Sequence, residues 1–500
     1  MVFGDGTNSG GGVKTRTRVI SEVVFLLILA LAFFAVLESG VAQSASPLKT
    51  AGKYVPHSPI FIGNNTDFLP ANGVVSGNGT EENPYIIENW EIDARGTDYC
   101  IRIENTTAHF VIRNCKLWNA GTGIYLKNVT NGTLVNNNCS GNSLDGIYLG
   151  SSTNTNITNN NCSGNSYDGI YLKYSSNTNI TNNTLWNNGI VIYGGALANW
   201  NTHIIENNMV NGKPVYYYKN QNGGTVPGDA GQVILANCTN MVVSGLTLTH
   251  ASVGIQLGFS SYNNITNNNC SGNSYLGIFL SSSSNTNITN NNCSSNWFGI
   301  YLFSSTNTNI TNNNCSNNSE NGIYLDSSTN TNITNNNCSN NSENGIYLES
   351  STNTNITNNN CSNNSNGIYL FYSSNNYITN NNCSHNTNYA IYITFGSTDN
   401  TIHHNYFYQN NGAVKGVNGN CQAYDDVGGN YWYDNTAQEG NYWSNWDGSG
   451  WGTASAYPID GGAGAYDMYP IGNPVPEFSA LTLIMITTGL LCVAMLCRRK

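Results

Sequence analysis

Charged residues are scarce in this sequence. Only 9% of the 500 residues are Asp, Glu, Lys or Arg, and 17 basic against 28 acidic residues give a formal net charge of −11. Binding to nucleic acid depends on clustered Lys and Arg side chains, so this composition argues against a nucleic-acid partner. The polar surface must instead be built from amides and hydroxyls.

Segments suited to helices are missing from the middle of the chain. Residues 269–383 are saturated with Asn, Ser, Thr and Gly, which favour turns over helix interiors. Short strands fit better. In G-I-Y-L the alternation puts Ile323 and Leu325 on one face and Tyr324 on the other, and Ile333 and Cys338 supply two further inward positions.

A repeat of 22 or 23 residues fills the same region. Units that begin N-C-S and continue through G-I-Y-L or G-I-F-L to N-I-T-N-N restart at intervals of 23, 22, 23, 23 and 22 residues, and two earlier units begin at Cys139 and Cys162. A fixed period of this length predicts a solenoid whose repeats bury their apolar side by stacking. The phased Ile, Leu and Cys argue against a disordered low-complexity linker. The later units begin at Cys270, Cys293, Cys315, Cys338, Cys361 and Cys383.

Three short strands per coil with tight corners describe an all-β fold, a right-handed single-stranded parallel β-helix with about 22–24 residues per coil. Corner asparagines such as Asn335 and Asn340 are expected to form ladders that satisfy buried amides and carbonyls. The eight array cysteines fall in one inward slot and are expected to be free buried thiols. Four further cysteines lie outside the array, and disulfide bonds among some of them are possible: Cys100, Cys115, Cys238 and Cys421.

The two ends of the chain predict export and anchoring. Arg16 and Arg18 precede an apolar run and small residues, the layout of a cleaved signal peptide. At the other end, Pro476-Glu477-Phe478 leads into an uncharged stretch long enough to span a bilayer, followed by a basic cluster expected to be cytoplasmic. The body of the protein is therefore expected on the outer face of the cell membrane.

The chain is accordingly divided into seven parts. The predicted parts are a signal peptide (1–45), a lead-in and amino-terminal cap (46–84), β-helix coils (85–190), irregular coils with an insertion (191–254), regular coils (255–420), an aromatic and Gly-rich cap (421–473), and a sorting signal with a transmembrane helix (474–500). The aromatic cap could instead carry a glycan site.

Two kinds of candidate site follow from the repeat. Outward tyrosines form an aromatic strip that suits sugar rings, although stacked Tyr also stabilises a sheet. Carboxylates one coil apart form two pairs, Asp145 with Asp168 and Asp326 with Glu349, which are the candidates for catalysis, for a weak Ca²⁺ site or for pKa coupling. The strip continues from Tyr148, Tyr171 and Phe279 through the predicted ligand-binding residues Tyr301, Tyr324, Tyr347, Tyr369 and Tyr392.

These motifs resemble the NosD-type family of right-handed β-helices, within the wider pectin-lyase-like group of carbohydrate-binding and sugar-hydrolysing domains. The resemblance rests on the G-T-E-E-N-P-Y-I-I-E-N entry, the N-C-S, G-I-Y-L and N-I-T coils, the V-N-G-K-P-V-Y-Y-Y insertion and the Y-P-I ending. The Pro476-Glu477-Phe478 tail resembles the PEF-CTERM sorting signals of archaeal surface proteins. That resemblance implies an archaeal source, processing by an archaeosortase and a retained helix or a replacement lipid anchor.

The family name implies copper chemistry, but this chain has few of the side chains that bind copper. Outside its two ends it has only Met209, Met241 and Met468, and its seven histidines are scattered apart from His403-His404. No metal site and no cofactor is predicted, with Ca²⁺ left open. We therefore expect a surface-anchored protein that binds glycans or serves in adhesion or structure. Polysaccharide cleavage is the second hypothesis and copper-site maturation is the third.

Overall fold

The structure is a computed structural model that describes residues 54–413, 420–446 and 456–471. The chain runs in successive coils, and each coil adds strands to parallel sheets. Each strand pairs with its equivalent one coil later, so that Tyr324 lies opposite both Tyr301 and Tyr347. The predicted all-β parallel β-helix is confirmed. The predicted signal peptide, the sorting motif Pro476-Glu477-Phe478 and the carboxyl-terminal span lie outside the described residues.

The strands and helices divide between a first segment (residues 54–212) and a second segment (residues 213–471). The first segment contains β1 (Val55–Pro56), β2 (Ile60–Ile62), β3 (Val74–Ser76), β4 (Tyr85–Glu88), β5 (Trp90–Asp93), β6 (Tyr99–Thr106), β7 (Phe110–Arg113), β8 (Lys116–Trp118), β9 (Thr122–Val129), β10 (Gly132–Val135), β11 (Ile147–Gly150), β12 (Asn156–Thr158), β13 (Ile170–Lys173), β14 (Asn179–Thr181), β15 (Thr184–Leu185), β16 (Ile190–Tyr193), β17 (Ile204–Glu206) and β18 (Met209–Val210). Its helices are two 3-10 turns, Asn65–Asp67 and Pro70–Asn72, and one short α-helix, Ala198–Asn201.

The second segment contains β19 (Lys213–Lys219), β20 (Asn222–Thr225), β21 (Gln232–Ala236), β22 (Thr239–Ser244), β23 (Val253–Gly258), β24 (Asn264–Thr266), β25 (Leu276–Ser281), β26 (Asn287–Thr289), β27 (Phe298–Phe303), β28 (Asn309–Thr311), β29 (Ile323–Asp326), β30 (Asn332–Thr334), β31 (Asn344–Glu349), β32 (Asn355–Thr357), β33 (Asn366–Phe371), β34 (Tyr377–Thr379), β35 (Asn382–Ser384), β36 (Ile391–Thr394), β37 (Thr401–His403), β38 (Tyr406–Tyr408), β39 (Ala423–Asp425), β40 (Tyr442–Trp443), β41 (Tyr457–Pro458) and β42 (Tyr466–Asp467). None of the helices in these described ranges is long and apolar enough to cross a membrane.

Each regular coil has three sides. Two of them carry a β-strand, and the third does not. The G-I-Y-L strands form the tyrosine face and the N-I-T strands form a second sheet, whereas the third side is held by single bridges such as Asn314 to Asn337. The prediction of three strands per coil is therefore correct for two sides of the regular coils, where the third strand is reduced to one paired residue. Towards the ends of the β-helix the third side keeps short strands, β5 with β8 and β35 with β38 and β40.

The asparagine ladders are real but use a different residue from the one predicted. Asn335 and Asn340 turn the corners with left-handed φ values of 57° and 58°, which Asn tolerates better than most residues. The next residues point inward: Asn336 Oδ1 accepts from the Asn313 amide at 2.8 Å, and its Nδ2 donates to Asn359 Oδ1 at 3.0 Å. Asn341 does the same for the Asn318 amide. At these two corners one asparagine turns the backbone and the next satisfies the buried amide of the preceding coil.

The predicted core positions are confirmed. Ile323, Leu325, Ile333 and Cys338 are fully buried, and their equivalents in neighbouring coils stack above and below them. All eight array cysteines are buried free thiols. The cysteines outside the array are free as well, so the described part of the chain contains no disulfide among Cys100, Cys115, Cys238 and Cys421.

The β-helix is interrupted between its two segments. The tyrosine face of the first segment ends at β16, and that of the second segment begins at β19 after an antiparallel pairing of β18 with β19. The buried residues accordingly form two cores. The predicted strip of outward aromatics is therefore two columns, because Tyr148 and Tyr171 lie in the first sheet and Phe279 lies in the second.

The flank of the second segment covers the last coil of the first segment. The open edge of β16 is satisfied by two glutamine side chains: Gln232 pairs with the Ile190 amide and carbonyl, and Gln256 accepts from the Ile192 amide at 3.0 Å. An unpaired edge would otherwise expose its hydrogen-bonding groups. Trp200 is fully buried against Gly258, where a Cβ would lie 2.0 Å from the indole ring. The packing therefore requires glycine at position 258.

Aromatic side chains close the second core at its carboxyl-terminal end. Trp432, Trp443 and Tyr457 are buried, and the rings of Trp443 and Tyr457 stack with centroids 3.9 Å apart. These residues cover the last coils and are not available to a ligand. Among the other aromatic residues of the predicted cap, Tyr431 is 53% exposed, and Trp451 lies outside the described residues.

Candidate functional site

The five predicted ligand-binding tyrosines form one stacked row. The centroids of neighbouring rings lie 4.7–4.9 Å apart, and the first three contacts are nearly parallel, with interplanar angles of 7°, 9° and 13°. Each ring therefore covers the faces of its neighbours. The row offers ring edges and hydroxyls to solvent, and it cannot offer the open ring faces that sequence reasoning expected. The row consists of Tyr301, Tyr324, Tyr347, Tyr369 and Tyr392.

Asp326 and Glu349 lie beside this row and accept hydrogen bonds from its hydroxyls. Tyr324 donates to Glu349 Oε2 at 2.5 Å, Tyr347 donates to the same oxygen at 3.3 Å, and Tyr301 donates to Asp326 Oδ2 at 3.3 Å. Burial and the neighbouring carboxylates raise the pKa of each of these three tyrosines, so all three hydroxyls are protonated donors. Neither carboxylate forms an ion pair within the described residues.

The other carboxylate pair is buried. Asp145 and Asp168 are 8% and 5% exposed, and burial raises the pKa of Asp145 to about 7. Burial, and then the charge of Asp145, raise the pKa of Asp168 well above its usual value, and its Oδ1 has no hydrogen-bond partner. The pair is thus coupled but closed to solvent. Hydrolysis by two carboxyl groups that flank a glycosidic bond is not available to it.

A cleft of about 240 Å³ lies where the two segments meet. The edge of the first segment supplies Tyr171, Lys173, Tyr174 and Tyr193, and the second segment supplies Tyr275, Phe279 and Tyr301 among others. Lys173 is its only basic lining residue and forms no ion pair in the described part of the chain. The cleft joins the tyrosine row directly, because Tyr301 belongs to both.

The ring arrangement in the cleft differs from that in the row. Tyr174 is 48% exposed and meets Tyr193 edge to face with centroids 5.6 Å apart, while Tyr193 lies 6.5 Å from Phe279. Here rings from two segments surround an open space and do not all cover one another. Burial is also the main cause that raises the pKa of Tyr171 and of Tyr275, so their hydroxyls stay protonated.

Sequence reasoning missed most of this cleft. Tyr174 departs from the repeat, because other coils have serine at this corner, for example Ser151 and Ser282. This departure was the one feature of the sequence that could have identified Tyr174 as a site residue. Tyr193 and Tyr275 carried no such signal. Their approach depends on how the second segment folds back on the first, which no local pattern encodes.

The histidine pair near the carboxyl-terminal end is held by contacts with its neighbours. His403 and His404 contact each other through their Nδ1 atoms, His403 Nε2 lies 2.7 Å from the Tyr377 hydroxyl, and His404 Nε2 lies 2.5 Å from Glu439. Within the described ranges no three His, Cys, Asp or Glu side chains are arranged to hold a metal ion.

Several known structures align with this chain. The A-module of the Azotobacter vinelandii mannuronan C-5 epimerase AlgE6 aligns over 70% of this chain and 88% of its own, with 13% identity and a TM-score of 0.33. The periplasmic alginate epimerase AlgG aligns over 66% and 84%, with 15% identity and a TM-score of 0.33. The Dettilon tailspike protein aligns over 70% and 68%, with 14% identity and a TM-score of 0.27. No curated protein matches the sequence.

Two family models match the sequence and together cover both segments. The model described as "Right handed beta helix region" matches residues 60–229. The model described as "Periplasmic copper-binding protein (NosD)" matches residues 223–321 and 295–448. These matches agree with the parallel pairing of successive coils and with the resemblance found in the repeats. The chain belongs to the right-handed parallel β-helix repeat family.

Proposed function

We propose that this protein binds carbohydrate in the cleft between its two segments. The observation that carries the proposal is the lining: six aromatic rings and one unpaired lysine surround a space of about 240 Å³. Sugar rings combine apolar faces with hydroxyls, and tyrosine side chains combine an apolar ring with a hydroxyl donor. A cleft of this composition therefore complements a saccharide better than it complements a purely apolar ligand.

The tyrosine row extends the same surface away from the cleft. Its hydroxyls and the carboxylates of Asp326 and Glu349 form a line of hydrogen-bonding groups that begins at Tyr301. Such groups can bond to successive sugar hydroxyls along a chain. The proposed ligand is therefore a polysaccharide or a long oligosaccharide at the cell surface or outside the cell.

The proposed location is the outer surface of the cell. It rests on the signal-like amino terminus and on the Pro476-Glu477-Phe478 tail with its apolar stretch, both of which lie outside the described residues. In this proposal the membrane anchor, or a lipid that replaces it after archaeosortase processing, holds the β-helix against the surface. Binding would then serve adhesion or organisation of the cell envelope.

The binding proposal is tested with the purified chain on a glycan array. Tyr174→Ser is the diagnostic variant, because serine occupies this corner in several other coils and the fold tolerates it there. Tyr262→Asn is the matched control, because Tyr262 is 61% exposed outside the cleft and asparagine occupies its position in later coils.

We expect selective binding that Tyr174→Ser weakens and Tyr262→Asn does not. Absence of binding by the folded wild-type chain would refute the proposal. Equal loss in both variants would show that the cleft is not the site.

A further inference from the structure

Three aromatic side chains form an exposed cluster three coils beyond the cleft, next to Tyr369. Tyr372 is 55% exposed and Phe395 is 57% exposed, and Phe371 contacts both, with ring centroids 4.7 Å and 4.9 Å away. The Phe371 ring also meets Tyr369, with centroids 6.2 Å apart. The cluster, here called the aromatic platform (Phe371, Tyr372 and Phe395), is therefore continuous with the tyrosine row.

The backbone at this platform is unusual for aromatic residues. Tyr372 and Phe395 have left-handed φ values of 50° and 51°, a conformation that bulky side chains rarely adopt. The same corner of the intervening coils holds serine, at Ser282, Ser304, Ser327 and Ser350. Exposed rings at this corner gain little from burial, so the fold itself does not require them.

The same substitution occurs at the cleft. Tyr174 occupies the equivalent corner of the first segment with a φ of 53°, and it lines the cleft. Aromatic corners thus stand at both ends of the tyrosine row, and the four coils from Ser282 to Ser350 have serine; Phe259, one coil before Ser282, is also aromatic but is partly buried against the first core. This distribution fits two contact points on one elongated ligand.

The surface between the two points defines the chemistry of that ligand. From Tyr301 to Tyr369 the row advances three coils, roughly 14 Å at the usual spacing of parallel strands. The groups along it are tyrosine hydroxyls and the carboxylates of Asp326 and Glu349, which accept hydrogen bonds from them. Those carboxylates accept hydrogen bonds from sugar hydroxyls and repel acidic sugars.

We propose that the aromatic platform is a second subsite for the glycan that occupies the cleft, and that this glycan is a neutral polysaccharide. This inference rests on the proposed function. A short saccharide fills the cleft alone, whereas a longer chain crosses the row and stacks on Phe395 and Tyr372 as well. Two linked contacts raise the affinity above that of either alone.

The test compares short and long probes on the platform variant. The probes are disaccharides and octasaccharides derived from mannan, glucan and galactan, with oligogalacturonate as the acidic probe, measured by calorimetry on the full chain. The double variant Tyr372→Ser/Phe395→Ser removes the platform and gives both corners the residue that other coils have. Tyr262→Asn is the control for loss of an exposed tyrosine elsewhere.

We expect at least one neutral octasaccharide to bind about tenfold more tightly than its disaccharide, and the platform variant to lose that advantage while disaccharide affinity is unchanged. The second subsite is refuted if the platform variant binds the octasaccharide as tightly as the wild type does while Tyr174→Ser weakens binding of both the disaccharide and the octasaccharide. The cleft would then be the only binding site supported. Oligogalacturonate that binds as tightly as the neutral probes overturns the neutral-ligand part. No saccharide binding by the wild type overturns the proposed function and this inference together.

Discussion

Tyr324 donates a hydrogen bond of 2.5 Å to Glu349, which belongs to the next coil of the β-helix. The bond ties the tyrosine row to the acidic residues beside it. It also explains how a carboxylate without an ion pair is held against a surface of stacked aromatic rings.

Tyr324→Phe should lower the free energy of unfolding by about 1 kcal/mol, because Glu349 then keeps only the longer contact from Tyr347. Urea denaturation measures the change. Tyr392→Phe is the matched control, since its hydroxyl makes no hydrogen bond in the described residues and its loss should cost less than about 0.5 kcal/mol. Equal effects of the two variants would contradict the role of the Glu349 contact.

The buried Asp145 and Asp168 should make the protein less stable as pH rises. Burial raises the pKa of Asp145 to about 7, and burial together with the charge of Asp145 raises that of Asp168. The folded state thus holds protons that the unfolded state releases above about pH 4, so stability is lost between about pH 4 and 7.

The amide variant tests this assignment. Asp168→Asn should raise the free energy of unfolding at pH 8 by at least about 1 kcal/mol, change it little at pH 4, and reduce the slope between them. Chemical denaturation across pH provides the measurement. Glu82→Gln, at an exposed position, should leave the slope as it is in the wild type. If the free energy of unfolding of Asp168→Asn falls with pH as steeply as that of the wild type, groups other than Asp168 cause the pH dependence.

Removal of an inward asparagine should be far more costly than removal of an outward one. Asn336→Ala leaves the Asn313 amide and the Ile310 carbonyl without partners in a buried corner, and should cost about 3 kcal/mol. Asn332→Ala, in the same coil, removes two exposed contacts, to Asn309 at 2.9 Å and from Asn355 at 2.8 Å, and should cost less than about 1 kcal/mol. Thermal or urea unfolding distinguishes them, and similar costs would refute the ladder as a stabilising element.

The buried thiols of Cys270 and Cys338 should be unreactive in the folded protein. Cys270 and Cys338 are fully buried, and desolvation raises the pKa of both well above its usual value. Cys421 is only partly buried, with its pKa raised to about 11, and should be alkylated first. Mass spectrometry after timed alkylation resolves each site. Modification of Cys338 as fast as Cys421 under native conditions would contradict the buried column.

The inner side of each coil could be predicted because it depends on local alternation. Ile323 and Leu325 face the core and Tyr324 faces outward, as strand geometry requires. The assignment of the ladder to Asn335 and not Asn336 was wrong by one residue. All three asparagines of the triplet are chemically equal in the sequence, and only the backbone conformation shows which one turns and which one points inward.

The row of tyrosines could also be located, but its ring orientation could not. Register fixes which residues are neighbours, so Tyr324 and Tyr347 had to stack one coil apart. Whether their rings lie face to face or spread over the surface depends on side-chain torsions and on partners such as Glu349. That orientation moved the proposed sugar-stacking surface from the row to its two ends.

The sequence by itself determined the β-helix, its period, its inward residues and the free cysteines of the array, because each of these repeats every coil and is set by contacts between equivalent positions. Only the tertiary structure decided the break between the two segments, the cover that Gln232 and Gln256 place on the β16 edge, and the cleft that results. These features join residues such as Tyr167 and Trp297, whose rings lie 5.7 Å apart although they are distant along the chain. They arise once, outside the repeat, from the way one solenoid segment packs on the flank of the other.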